Sequence, residues 1–275
     1  MTTTLDPARP ASTVPARRGP STPFASTLRH GGTLAWRGIV KTVHSPEALL
    51  DVTLQPVIFL LLFVYVFGGA ISGDPASYLQ FALPGVLVQT VVFASAGTGV
   101  GLADDLKTGI FDRFRSLPIS RTAPLLGAIG ADLVRYLTSG VIMLAFGAVL
   151  GFRSDAGPLA FVAAMGLVMA LAFALCWIFT ALAMVVKEPR SVQGLGAMVM
   201  LPLTFGSSAF VPADTLPSWL RAFVEINPVS KAADAVRGLL NGGPVLGPAT
   251  ATLVTAAMVV AVFAPLAVVL YRRRT

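Results

Sequence analysis

The chain has 275 residues, 55% of them hydrophobic and 12% charged, and a formal net charge of +7; its mean hydropathy is +0.78. A soluble domain carries about twice that charged fraction, so a water-excluding globule under a charged shell is excluded. A basic balance in so apolar a chain points to loops on the cytoplasmic side of a membrane, not to nucleic acid.

In chain order, Met1–Pro23 is rich in Thr, Pro, Ala and Arg. It lacks the short apolar core of a cleavable signal peptide, and residues 1–25 read as a disordered cytoplasmic tail. Ser26–Leu50 interleaves Leu28, Leu34, Trp36, Ile39, Val40 and Val43 with Arg29, Arg37 and Lys41. That pattern predicts a helix lying in the headgroup layer, Trp at the interface and basic residues toward phosphate. The alternative is an ordinary tether into the first span. Ser45, Pro46 and Glu47 make a helix start.

Charge-free runs then cover residues 52–73, 75–103, 136–152, 156–186, 191–213 and 238–271. A helix needs roughly 20 apolar residues to cross a bilayer. Five runs reach that length outright. The third is shorter, but its apolar character reaches back through Leu125, Leu126 and Ile129, interrupted by Asp132 and Arg135. The expected fold is all-α with six transmembrane helices, at about 52–73, 79–103, 123–150, 157–186, 191–212 and 248–271, within one domain at 26–275.

Most Lys and Arg residues fall on one side of that arrangement. Arg9, Arg17, Arg18, Arg29, Arg37 and Lys41 precede the first span; Lys107, Arg113, Arg115 and Arg121 follow the second; Lys187 and Arg190 follow the fourth; Arg272, Arg273 and Arg274 end the chain. The opposite side holds Arg153, Arg221, Lys231 and Arg237. This asymmetry predicts that both termini are cytoplasmic.

Residues 212–247 form the largest external segment. Pro217, Trp219, Leu220, Phe223 and Val224 give an apolar face, Asn227-Pro228 a turn, and Val229–Leu240 a second helix that ends at Asn241-Gly242-Gly243. Two short re-entrant helices after span five fit this pattern. A flat amphipathic cap is the alternative.

The groups that catalysis needs are missing from this picture. The sequence has no paired intramembrane carboxylates, no Ser/His pair, no zinc-type spacing around His30 and His44, and one cysteine, Cys176. No Gly-x-x-x-x-Gly-Lys phosphate loop is present, so the chain is not expected to bind ATP in that familiar way, and no cofactor is expected on it. Asp132 and Arg135, spaced i, i+3, read as a local ion pair. An ion-driven secondary carrier would need more intramembrane polar groups than these.

The loop Asp104–Thr122 carries the sharpest signal. Ile110, Phe111, Phe114 and Leu117 lie on one face of a short helix, with Arg113 and Arg115 elsewhere and Pro118 stopping it. Exposed Phe rings there suit a docking knob for another protein; aromatics resting on lipid are the bland alternative.

The stretch Gly109-Ile-Phe-Asp-Arg-Phe-Arg-Ser-Leu-Pro-Ile-Ser-Arg121 resembles a loop of ABC-2-type transporter permeases, in particular the daunorubicin-resistance type. A second match includes Ser191-Val-Gln-Gly, Leu201-Pro-Leu, Phe210-Val-Pro, Leu216-Pro-Ser-Trp-Leu, Ile226-Asn-Pro-Val and Asp234-Ala-Val-Arg237-Gly-Leu-Leu-Asn-Gly. A third is Pro46-Glu-Ala-Leu-Leu followed by Gln55-Pro-Val-Ile-Phe. Together they span nearly all of the chain after about residue 30.

The resemblance implies one half of an exporter's membrane domain in the bacterial plasma membrane. Two permease copies, identical or paralogous, would pair with two separate ATPase subunits. It makes Ile110–Leu117 the coupling helix, with Phe111 and Phe114 as anchors, Arg113 and Arg115 as partners for carboxylates, and Glu188 and Arg190 beside a second contact. It also implies a transport path lined by spans one, two and five. Gln55, Gln89, Thr90, Met198, Met200 and Phe205 are its candidate linings, and Gly97, Gly101, Gly194 and Gly196 would permit close helix approach. A hydrophobic drug or secondary metabolite is the expected cargo; lipid-linked glycan or lipid is the alternative.

Overall fold

The computed structural model describes residues 46–110, 123–154, 156–186 and 188–274. The expected tail, most of the headgroup-layer helix and Phe111, Arg113, Phe114, Arg115 and Leu117 lie outside those residues. Eight helices run in order: α1 Pro46–Leu62, α2 Pro75–Lys107, α3 Ala123–Val149, α4 Pro158–Val185, α5 Pro189–Phe205, α6 Ser218–Ile226, α7 Pro228–Asn241 and α8 Leu246–Arg274.

Beyond Leu62, α1 continues through a π-helical turn, Phe63–Phe67, and a last helical stretch, Gly68–Ser72. Leu60, Val64 and Gly68 form its buried stripe. Gly73 closes the connection to α2 at φ 78°, where a side chain would be strained. Asp74 then caps α2, accepting from the Ala76 and Ser77 amides at 2.8 and 3.0 Å, with Pro75 in the first turn. The Ser77 hydroxyl and those two amides hold the Asp74 carboxyl below the usual carboxylate range.

Helix α2 is the hub. It packs against α1, α3, α4, α5 and α7, and 67% of its apolar window is buried, against 11% for α8. Lipid is as apolar as leucine, so close packing must hold such helices together. A β-carbon on Gly85 would stand 2.1 Å from the Ala209 carbonyl oxygen, and one on Gly99 would stand 2.8 Å from that of Phe179. The expected contacts at Gly101 and Gly194 are absent, with no atom within 4 Å; Gly97 meets a side-chain tip of Arg135 and Gly196 the ring of Phe179. The helices therefore approach closely through Gly85 and Gly99, with Gly196 beside them.

Five helices among the described residues are long and apolar enough to cross a membrane: Leu54–Ser72, Pro75–Lys107, Pro124–Val149, Pro158–Val185 and Leu246–Arg273. The run at 191–213 instead divides. Its helix, α5, ends at Phe205 after 17 residues, about 26 Å of rise. The chain then turns back along α2. Pro202 lies inside α5, Gly206 follows it, and Ser207, Ser208 and Asn227 satisfy the backbone there. Asn227 donates to the carbonyls of Leu203 and Gly206 at 2.7 Å each.

Arg237 holds this returning segment and α7 against α2. It donates to Asp234 at 2.8 Å, the Ser208 carbonyl at 3.0 Å and the Phe81 carbonyl at 3.2 Å. Its guanidinium carbon also lies 3.8 Å from the Phe81 ring centroid. Tyr78 adds a bond to the Phe210 carbonyl at 2.8 Å. Asn241 reaches the Gln80 carbonyl at 2.6 Å.

Candidate functional site

A cavity of about 440 Å³ opens between α1, α2, α3 and α5. Gln55, Pro56 and Phe59 come from α1; Gln89, Thr90, Phe93 and Gly97 are among the residues from α2. Arg135 comes from α3, and Gln193, Ala197 and Met200 from α5. The helical repeat explains the set: residues three or four apart share a face, as in Gln89 with Phe93 and in Gln193, Ala197 and Met200.

Four of the six expected linings thus meet in one space: Gln55, Gln89, Thr90 and Met200. The other two lie elsewhere. Met198 is 74% exposed on the outer face of α5, one position out of register with the cavity. Phe205 stacks on Phe210 at 5.5 Å between centroids.

The polar wall is underused by the protein itself. Thr90 donates back to the Val86 carbonyl at 2.7 Å. Gln89 is 4% exposed, and its Oε1 is buried with no hydrogen-bond partner among the described residues. Arg135 gives one Nη to Asp132 at 2.9 Å, while its Nε is likewise buried and unpartnered.

Behind this wall a hydrogen-bonded cluster fixes α3. The buried Tyr136 hydroxyl donates to the Ala94 carbonyl at 2.8 Å and lies 2.7 Å from the Thr98 hydroxyl. Thr98 in turn lies 3.4 Å from the Cys176 sulfur. Neither Arg135 as a lining nor this cluster was anticipated. An i, i+3 acid–base pair reads as local, and contacts between α2, α3 and α4 leave no mark in sequence spacing.

A ladder of rings leaves the cavity toward the end of the bundle that holds Pro75 and α6. Phe59 lines the cavity and stacks on Phe63 at 6.2 Å; Phe63 stacks on Phe210 at 4.3 Å, and Phe210 on Phe205. At the opposite end, Lys107 closes α2 and pairs with Glu188, the residue before α5, at 2.7 Å. Ile110 stands beside this contact in sequence and is exposed, as is Arg190.

The chain matches the ABC-2 type transporter family over residues 30–241. It is 42% identical over 260 residues to a daunorubicin resistance ABC transporter permease protein from Streptomyces coeruleorubidus, covering 94% of this chain and 89% of that protein. It is 30% identical over 222 residues to a probable doxorubicin resistance ABC transporter permease protein from Mycobacterium tuberculosis, covering 79% of each. A putative transport permease from Cyanophora paradoxa is 28% identical over 213 residues, 76% of this chain and 73% of the relative.

Proposed function

We infer what this chain does from the family to which it belongs, the ABC-2 type transporters. It is a multi-pass membrane permease of an ABC exporter of the drug-resistance type. Its cargo is a hydrophobic drug or secondary metabolite, moved across the bacterial plasma membrane. A separate ABC-type ATPase subunit, present in two copies, binds ATP and Mg and supplies the work. A second permease, identical or paralogous, completes the pathway.

In this reading both termini are cytoplasmic. The sixth crossing is made by α5 together with the returning segment and the short helices α6 and α7. Ile110 and the residues that follow it, Phe111, Arg113, Phe114, Arg115 and Leu117, dock on the ATPase, with Glu188 and Arg190 at a second contact.

The observation that carries the cargo assignment is the cavity. It joins Gln55, Gln89, Thr90 and Met200 in a space of about 440 Å³, within the range that buries a drug-sized molecule. Aromatic and thioether surface with a few hydrogen-bonding groups suits an amphipathic, ring-bearing compound.

The test is ATP-dependent uptake of a panel of fluorescent drugs into vesicles holding the permease and its ATPase. Uptake is expected with both proteins, and none uphill with the permease alone. Phe114→Asp should abolish it while leaving membrane insertion intact. Uphill transport without the ATPase, or wild-type rates in Phe114→Asp, would sink the reading.

A further inference from the structure

Resting on that permease reading, the backbone of α1 says how cargo leaves the cavity. At Phe63–Phe67 it is wound as a π turn, which holds one residue more than an α-helical turn does. Such turns recur at functional sites, and the packing on either side shows what this one accomplishes.

Leu60, Val64 and Gly68 all face the bundle. A β-carbon on Gly68 would stand 3.2 Å from both Pro75 Cα and Tyr78 Cβ, so that end of the stripe is pressed against α2. In an unbroken α-helix, residues eight apart are turned by about 80° from one another, and residues seven apart by about 20°. Leu60 and Gly68 are eight apart. The π turn absorbs the surplus residue and keeps both on the bundle. Tyr65 and Val66 take up the slack on the outer side, and Val66 is 65% exposed.

The surplus has a second place to go. Pro56 lies inside α1 and has no amide hydrogen, so the ladder already lacks a bond upstream. If the π turn moves toward Pro56, the stretch between turns by about 100°, one residue's worth, while Gly68 keeps its contact. Each residue of that stretch then takes the place of the one before it. Leu61 replaces Leu60 in the core, and the run Phe59–Val64 is apolar throughout, so both registers bury apolar side chains. The rings are what change. Leu60 replaces Phe59 at the cavity wall, and Val64 replaces Phe63, whose ring now stacks on Phe210 at 4.3 Å.

We propose that the π turn of α1 is a register switch for cargo release. Its migration toward Pro56 withdraws Phe59 from the cavity and Phe63 from Phe210 together, loosening the cargo and parting the ring ladder in one step.

The experiment deletes Val66, which takes the surplus residue away. Leu60 and Gly68 then sit seven apart, one α-helix serves both, and the chain is held in the closed register. The variant should unfold at or above the wild-type midpoint. Hydrogen–deuterium exchange is followed by mass spectrometry on the purified permease in nanodiscs, with no ATPase present. Exchange across Phe59–Gly68 should be about tenfold slower in the deletion than in the wild type. With the ATPase added, uptake of a fluorescent drug into vesicles should fall about tenfold. Val66→Ala, which keeps the length, should match the wild type in both measurements.

Equal exchange in the two chains would overturn the proposal, because nothing then interconverts. Wild-type uptake in the deletion variant would do the same. A chain lacking Tyr65 in place of Val66 should behave alike; if both deletions unfold, the surplus residue is structural and the switch is wrong. A wild type with the expected exchange but no ATP-driven uptake would overturn the exporter reading and leave the two registers standing.

Discussion

Lys107 and Glu188 meet at 2.7 Å although 81 positions separate them in sequence. The pair ties the last turn of α2 to the start of α5, two helices that both line the cavity. Both side chains are about half exposed, so the bond adds little to stability. Its consequence lies in registering the end of α2 against the start of α5.

Glu188→Lys should therefore leave the unfolding midpoint unchanged and lower ATP-driven uptake by about fivefold. Lys107→Glu in the same chain should restore much of the loss. The check is drug uptake into vesicles with the ATPase present.

Arg237→Leu should destabilise the protein by about 2 kcal/mol, because it removes three hydrogen bonds and leaves Asp234 with the Ser208 hydroxyl in place of its charged partner. Arg237→Lys should recover only part, since an ammonium cannot reproduce the planar fork that spans Asp234 and two carbonyls while lying on Phe81. Thermal unfolding in detergent, followed by tryptophan fluorescence, reads the difference. An unchanged midpoint in Arg237→Leu would remove the latch assigned to this residue.

Gly85→Ala should be severe and Gly101→Ala silent. The first would drive a methyl group into the Ala209 backbone; the second meets no atom within 4 Å. The expected cost of the first is about 3 kcal/mol or more, seen as a fall in folded yield by size-exclusion chromatography. Equal yields for the two variants would mean that the returning segment does not pack there.

The outer face of α5 gives a fourth prediction. Met198, Val199 and Leu201 are exposed there, as are Leu54, Ile58 and Leu62 on α1. If a second identical permease completes the pathway through α5, Met198→Cys should form a disulfide-linked dimer in oxidised membranes. Val162→Cys, on the exposed side of α4, should remain monomeric. Non-reducing electrophoresis distinguishes them.

The long helices were legible in the sequence because charge-free runs have a single use at that length. The fate of the fifth run was not. Apolar composition is the same whether a run crosses straight or stops and returns, and the decision lay with Pro202, Gly206 and the distant partners of Asn227 and Arg237. Gln55, Gln89, Thr90 and Met200 were named on the resemblance to a family and meet in one cavity, but Met198 shows the limit. It was named on the same ground, and the turn of α5 puts it on the other side. Arg135 was visible as a charge and invisible as a wall, because its neighbours come from other helices.

The ring ladder from Phe59 through Phe63 and Phe210 to Phe205 bears on how anything could depart. Stacked rings cling by dispersion alone, so parting them strands no donor or acceptor. A flat molecule could trade each ring-on-ring contact for one with itself as it advances. A hydrated ion would have to shed its water shell and gain nothing in return. If the proposed path runs along this ladder, the rings are a filter as well as a stopper, shut to small solutes by the same surface that lubricates planar ones.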